Sequence, residues 1–492
     1  MLRIHPTEPR FSIELGALPK TQEMLQHEDK KRARFAFIAS FRVLRWSVGL
    51  TAALAYSVLV FAEAEPVSFS RDVAPILLQN CQSCHGPKKE EGGYRVDTYE
   101  RAFAEGDTGM AGFVAGDLEE SEAFRRIVSD DTIERMPLDG DALAKDEIAL
   151  LKRWIEGGAK FDGDDLSLDL AALVARAPQP DPPESYSHPV PITALRFSDD
   201  GSELFAAGYY EVTVWDPATG ELTRRIKNIA QRTMALDFSP DGKLLAVAGG
   251  APGRMGTVRI VDPQSGELKD VVGVGDDLVL DVSYSPDGHR IAASSVGSGL
   301  QVFDAKSGEL QLKIDRHSDW VTGVAWSPDS MKLATASRDK SCKVFDATTG
   351  ELSTTYTGHG GAVRGIVFHP EGSEVFSCGS ANKVYRWKLA DAKTTGEVRF
   401  EHEVLKLIVS DGFVFAASAD KTVRQVDIKT TKEVRQFKGI ADWPVSIDVH
   451  SATKRVAAGG YDGEVRVWDF ESAELLLLFP AAPGYVSAQG AN

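Results

Sequence analysis

Seven strand-closing dipeptides recur through the C-terminal part of this chain at nearly constant intervals, and that period limits the fold more than any other feature. They are Trp215-Asp216, Val261-Asp262, Phe303-Asp304, Phe345-Asp346, Trp387-Lys388, Val426-Asp427 and Trp468-Asp469, separated by 46, 42, 42, 42, 39 and 42 residues. Each unit also has an earlier hydrophobic strand that runs into a turn. The turns read Ser-Asp-Asp-Gly at 198–201, Ser-Pro-Asp-Gly at 239–242 and 285–288, Ser-Pro-Asp-Ser at 327–330 and His-Pro-Glu-Gly at 369–372, with looser versions in the last two units. Pro and Asp pre-set such a turn and Gly accepts its left-handed position. A unit this short cannot bury a core alone, so the units must stack on one another.

Period, turn and closing residue resemble WD40 repeats. The resemblance implies a β-propeller of seven four-stranded blades over residues 188–481. It also implies structural roles for His317 and His359, within an intrablade hydrogen-bond network that uses turns such as those at Asp339, Asp420 and Asp462. Cys342 and Cys378 lie in apolar strand contexts, where free Cys behaves as a small buried hydrophobe. A Cys342–Cys378 disulfide is the minority reading. The strand 474–479 follows Trp468-Asp469, so the last blade is complete in sequence and needs no strand from the stretch before Pro191.

Four cysteines in 492 residues exclude a disulfide-built scaffold. A net charge of −17 speaks against nucleic-acid binding, which relies on basic phosphate contacts. The first 64 residues read as an export region. Lys30, Lys31, Arg32, Arg34, Arg42 and Arg45 form a basic flank, residues 46–62 run without charge, and Ala62-Glu63-Ala64 has the form of a cleavage site. Two readings stay open: a cleaved signal peptide, or a retained membrane anchor through residues 46–62. Met24 is an alternative start. Either way the expected location is periplasmic or otherwise extracytoplasmic.

The chemistry is concentrated at Cys81-Gln82-Ser83-Cys84-His85. C-x-x-C-H is the attachment signature of c-type haem: two thiols spaced for the two vinyl groups, then a His for the iron. A zinc site would want a second ligand pair, and none stands in the same region. A redox C-x-x-C would sit in a βαβ context, which is absent. The flanks suit a small helical domain. Ser70 is placed to cap a helix with Asp72 in its first turn and Val73, Ile76 and Leu77 on one face. Residues 146–156 carry Ile148, Leu151, Trp154 and Ile155 at helical spacing, stopped by Gly157-Gly158. Trp154 reads either as a haem-edge contact or as ordinary core.

The sixth iron ligand follows by elimination. Between residues 65 and 187 the only His is His85, which leaves Met110 and Met136. Met136 precedes Pro137, which holds an extended loop able to present a thioether. Met110 sits in a Gly-rich loop. Met136 is therefore the expected ligand; the alternative is Met136 as a core plug beside an open iron.

Residues 65–160 resemble the planctomycete-type cytochrome c domain. The resemblance is carried by the 69–77 helix, Cys81 to Gly86, Gly92-Gly93-Tyr94-Arg95-Val96-Asp97, Gly116-Asp117, Arg135-Met136-Pro137 and Trp154-Ile155-Glu156-Gly157-Gly158-Ala159. Tyr94 stands where that family often has Leu. The implied architecture is a small all-α cytochrome c-like domain followed by an all-β seven-bladed WD40 β-propeller. Its parts are the N-terminal region 1–64, the cytochrome domain 65–160, a Pro-rich linker 161–187, the propeller 188–481 and a tail 482–492. The implied activity is haem binding and electron transfer: one covalent haem c, held by Cys81, Cys84 and His85 with Met136, and no catalytic residue. The implied partners are a redox protein and a protein docked on the propeller. Alternatives are a propeller-based redox enzyme in which the cytochrome relays electrons, and a haem-based sensor. Quinoprotein dehydrogenases combine similar parts but commonly carry a vicinal Cys pair, absent here.

Fractionation of expressing cells should find the protein outside the cytoplasm, with a mature N-terminus near Glu65 if the signal is cleaved. A purely cytoplasmic, haem-free protein would remove both the localisation and the cytochrome reading.

Overall fold

The computed structural model describes residues 66–485, save Asp139, Asp276 and Ser298. These residues belong to one compact unit, Ala64–Asn492. The export region lies outside the described residues.

The repeats form seven four-stranded antiparallel sheets, each built from four strands consecutive in the chain. The blades span residues 195–226, 232–275, 279–314, 321–356, 363–399, 404–437 and 444–480. Within a blade the second strand is buried on both faces, as in Leu204–Ala207 and Lys332–Ser337. The outermost strand is mostly exposed and ends on a buried residue, as in Leu352–Tyr356. The core accordingly lies between blades: Ala248 and Val258 of blade 2 share one cluster with Val282, Ile291 and Phe303 of blade 3.

The ring closes without a strand shared between its ends. Blade 7 packs on blade 1 through rings 5.0 Å apart, Phe479 on Trp215. Asp448 Oδ2 accepts the Phe197 backbone N–H at 2.7 Å. The same device joins other blades, since Asp237 accepts from Tyr284 N at 2.7 Å and Asp281 from Val324 N at 3.0 Å. Arg196 spans the closure, donating to Asp448 at 3.2 Å and also to Asp237.

Two blades carry the expected histidine networks, and they differ. In blade 4, His317 meets Asp339 at 2.7 Å through Nδ1 and Thr335 at 2.8 Å through Nε2. In blade 5, His359 Nε2 meets Ser377 Oγ at 2.8 Å, and Trp387 Nε1 donates to the same oxygen at 3.1 Å. Its Nδ1 is buried without a partner. The residue at the position of Asp339 is Ala381, so the carboxylate is missing. Cys342 and Cys378 are both buried free thiols.

Ahead of the propeller, the expectation of an all-α domain is met only in part. The helices are α1 (Ala74–Asn80), α2 (Tyr99–Ala102), α3 (Glu122–Ile127) and α4 (Lys145–Glu156). Two-residue strands β1 (His85–Gly86) and β2 (Lys89–Glu90) pair between α1 and α2. No helix forms between α2 and α3, where Gly106, Gly109, Gly112 and Gly116 interrupt the chain. Side chains order that loop instead: Ser121 Oγ accepts from Val114 N at 2.8 Å, and Asp117 accepts from Glu119 N at 3.0 Å. The Pro-rich stretch 161–187 contains a further helix, α5 (Leu170–Arg176), whose Leu170 and Leu173 join the same core as Phe69 and Trp154.

Burial holds the His359 imidazole down to about 4. Unfolded, it takes up a proton near 6.5, so the unfolded state binds more protons between these values. This contribution is complete above pH 6.5 and is lost as pH falls toward 4, by roughly 3 kcal/mol. Ala381→Asp would place a carboxylate beside Nδ1 and hold the imidazolium, so its denaturation midpoint should fall less between pH 7 and 4.5 than that of the wild type.

Candidate functional site

The site begins with the helix that delivers it. Residues 69–73 form a single wide turn that runs directly into α1, with Pro75 in the first turn of α1, where its missing N–H costs nothing. The cap is Ser68, not the expected Ser70. Ser68 Oγ accepts from Arg71 N at 3.1 Å, and Asp72 reaches back to Ser68 N at 2.9 Å. Ser70 is buried and occupied by Asp162, which accepts from its N–H at 2.9 Å and its hydroxyl at 3.0 Å. Asp162 lies far along the chain, which is why local pattern misplaced the cap. Phe69, Val73, Ile76 and Leu77 enter the core.

Cys81 is the C-cap of α1, its N–H bonded to Leu77 O at 3.0 Å. The next turn is helical in kind: Cys84 N and His85 N both donate to Cys81 O, at 3.1 and 2.9 Å. This turn sets the two thiols and the imidazole in sequence around one end of the helix. Gly86 is required there, because a Cβ would lie 2.4 Å from Gln82 O. Cys81 is part-buried against the core and Cys84 is exposed. Burial pushes the Cys81 thiol up to about 12, with Cys84 and Glu147 adding to the effect.

Tyr94 positions the imidazole. Its carbonyl lies 3.3 Å from His85 Nδ1 and its ring stands edge-on to the imidazole at 5.5 Å. An Nδ1–H donated to that carbonyl leaves the lone pair on Nε2. The Tyr94 hydroxyl donates to Ala102 O at 2.7 Å, and its ring fills the space that a side chain on Gly112 would need. Sequence reasoning noted Tyr94 only as a departure from Leu. The carbonyl's role had no signal, because any residue supplies one.

Trp154 is 2% exposed and belongs to the core, with Phe69 at 5.3 Å, Phe113 at 5.5 Å and its Nε1 donating to Lys160 O at 3.0 Å. The methionines separate clearly. Met110 sulfur accepts from the Arg125 guanidinium at 3.7 Å. Met136 follows α3, with its N–H on Arg126 O at 3.1 Å, and is part-buried. No donor approaches its sulfur among the described residues. The contacts that fix Met136 run to α3, whereas those that fix His85 run to α1 and Tyr94.

Among the described residues no three His, Cys, Asp or Glu side chains converge as a metal-ion cage, the C-x-x-C-H group included. The backbone turn thus presents two thiols and an imidazole in succession, and their side chains do not form a closed tetrahedral set.

Residues 81–140 match the family model of planctomycete cytochrome C, a span that runs from the first cysteine past Met136. Residues 308–346, 350–388 and 431–469 match the WD domain, G-beta repeat. The chain carries a planctomycete-type cytochrome c segment and WD40 repeats. No curated protein matches it. Each matched repeat covers the last strand of one blade and the first three strands of the next: blades 3 and 4, 4 and 5, and 6 and 7.

In protein made without haem, Cys84 should be alkylated by iodoacetamide at pH 8 well before Cys81, because the Cys81 thiol is held protonated. Peptide mass mapping after timed quenching measures this order; equal rates would contradict the burial of Cys81.

Proposed function

We propose that this chain is an exported monohaem c-type cytochrome that carries electrons, with the propeller as its protein-interaction scaffold. The observation that carries the reading is the C-x-x-C-H turn at the end of α1, with His85 Nδ1 facing the Tyr94 carbonyl. The chemistry of the donor set fits haem c. Cys81 and Cys84 would hold it through thioethers, His85 would be the proximal ligand, and Met136 the distal one. The bound haem supplies reversible one-electron exchange. The residues of this chain do the rest. Tyr94 holds the imidazole in one tautomer, the Phe69–Trp154 core supports α1, and the Arg125 contact keeps the Met110 sulfur engaged elsewhere. Held by His85 and Met136 together, the group would favour its reduced state and offer no open position to a substrate, which suits a relay over a catalyst. A redox partner outside the cytoplasm and a protein ligand on the propeller belong to the same proposal.

The test is Met136. The ferric wild type should show the weak far-red sulfur-to-iron band, and the reduced protein should resist CO. Met136→Ala should lose the band, bind CO readily and have a lower midpoint potential. Rapid CO binding by the wild type rejects Met136 as ligand; loss of the band in Met110→Ala alone transfers the role to Met110. Replacing both Cys81 and Cys84 with Ser should abolish covalent haem staining on a denaturing gel.

A further inference from the structure

We infer that the cytochrome segment of this same chain is a docked partner of the propeller, and that Arg259 is the residue that docks it. Arg259 lies on the strand Met255–Val261 of blade 2 and is 1% exposed. One guanidinium nitrogen donates to Ala175 O at 2.6 Å and Ala177 O at 3.2 Å, the carbonyls at the end of α5. The other donates to Asn228 O at 3.1 Å and Asn228 Oδ1 at 3.3 Å, in the connection between blades 1 and 2. Asn228 Oδ1 also accepts from Gln179 N at 2.9 Å, so one side chain joins the propeller arginine to the incoming chain. Outside this socket, Arg176 lies 3.6 Å from Asp270.

The other blades provide the control. Arg259 stands two residues before the strand-closing Val261. The residues at that position in blades 4, 6 and 7 are Lys343, Arg424 and Arg466. Each is paired with a carboxylate of its own blade: Asp339 at 3.5 Å, Asp420 at 2.6 Å and Asp462 at 3.1 Å. Blade 2 has no such carboxylate, and Arg259 has no ion pair among the described residues. A buried cation left without an acid is costly unless other acceptors surround it. Here the acceptors are main-chain carbonyls at the negative end of a helix, which a planar fork reads by geometry rather than by charge alone.

α5 is in turn part of the cytochrome core. Leu170 and Leu173 pack in the cluster of Phe69, Leu77 and Trp154, and Leu170 N donates to Asp97 O at 2.8 Å. The connection is therefore an interface rather than a tether, and a protein held by the propeller meets the cytochrome in one orientation. The inference stands apart from the haem proposal, because it uses no residue of the C-x-x-C-H site.

The experiment compares full-length wild type with Arg259→Met and Asn228→Gly; Asn228 has φ +60°, so glycine keeps the backbone and removes only the side chain. Both variants should show a larger radius of gyration by small-angle scattering, with the propeller's circular dichroism unchanged. Cleavage within 177–190 should be about tenfold faster, the factor that loss of a buried charged hydrogen bond gives. Wild-type scattering and cleavage in both variants overturn the inference. If Arg259→Met fails to fold, Asn228→Gly alone decides. Haem-free protein serves equally well, so failure of the cytochrome reading leaves this result interpretable.

Discussion

Ring closure rests on the contact between the last blade and the first, where Arg196 reaches Asp448 on one side and Asp237 on the other. Both carboxylates are nearly buried and each also accepts a backbone N–H from the following blade. The guanidinium and the amide thus share the charge of one acid, which is how a buried carboxylate becomes tolerable. Arg196 thereby ties three blades at one point. The seam has no ladder of strand hydrogen bonds to bring the ends together, so its stability falls on these polar contacts and on the apolar cluster in which Phe197, Leu204 and Trp215 meet Val465, Val467 and Phe479.

The repeat pattern made the seven blades legible, since seven closing residues correspond to seven sheets, whereas the contacts that close the ring had no signal in it. The closing residues are local, and each blade repeats the signal. The C-x-x-C-H group was legible for the same reason. What sequence could not supply were contacts between distant segments. Ser70 looked like a cap because it precedes Asp72, yet Asp162 claims it and moves the cap to Ser68. The stretch after residue 160 looked like linker because of its prolines, yet Leu170 and Leu173 find a core only in three dimensions. The all-α expectation is met only in part: α1 and α4 carry helical periodicity, but the helices are short and a two-stranded pair and a glycine-rich loop lie between them.

The two modules distribute their polar groups differently. In the propeller, charged side chains mostly face carboxylates of their own or adjacent blades, and the blade 5 network shows what is left when one acid is replaced: a buried imidazole nitrogen with nothing to bind. In the cytochrome segment the decisive partner of the candidate ligand is a main-chain carbonyl, and the side chain that supplies its position, Tyr94, is itself held by a backbone acceptor and by the absence of a Cβ at Gly112. The imidazole is thereby oriented by residues that titrate only at high pH, since burial raises the Tyr94 hydroxyl further.

The paths into and out of the propeller run side by side: Tyr186 N donates to Pro483 O at 2.9 Å. A ring that borrows no strand and opens at a single doorway behaves as a cassette. Its blades could be joined at that doorway and cut at any other junction, giving circular permutants with the same sheets. In such a layout the segment upstream of the doorway joins the ring without interrupting any blade. For the cytochrome segment upstream of that doorway, the proposed point of attachment is one arginine in blade 2 that is bonded to main-chain carbonyls.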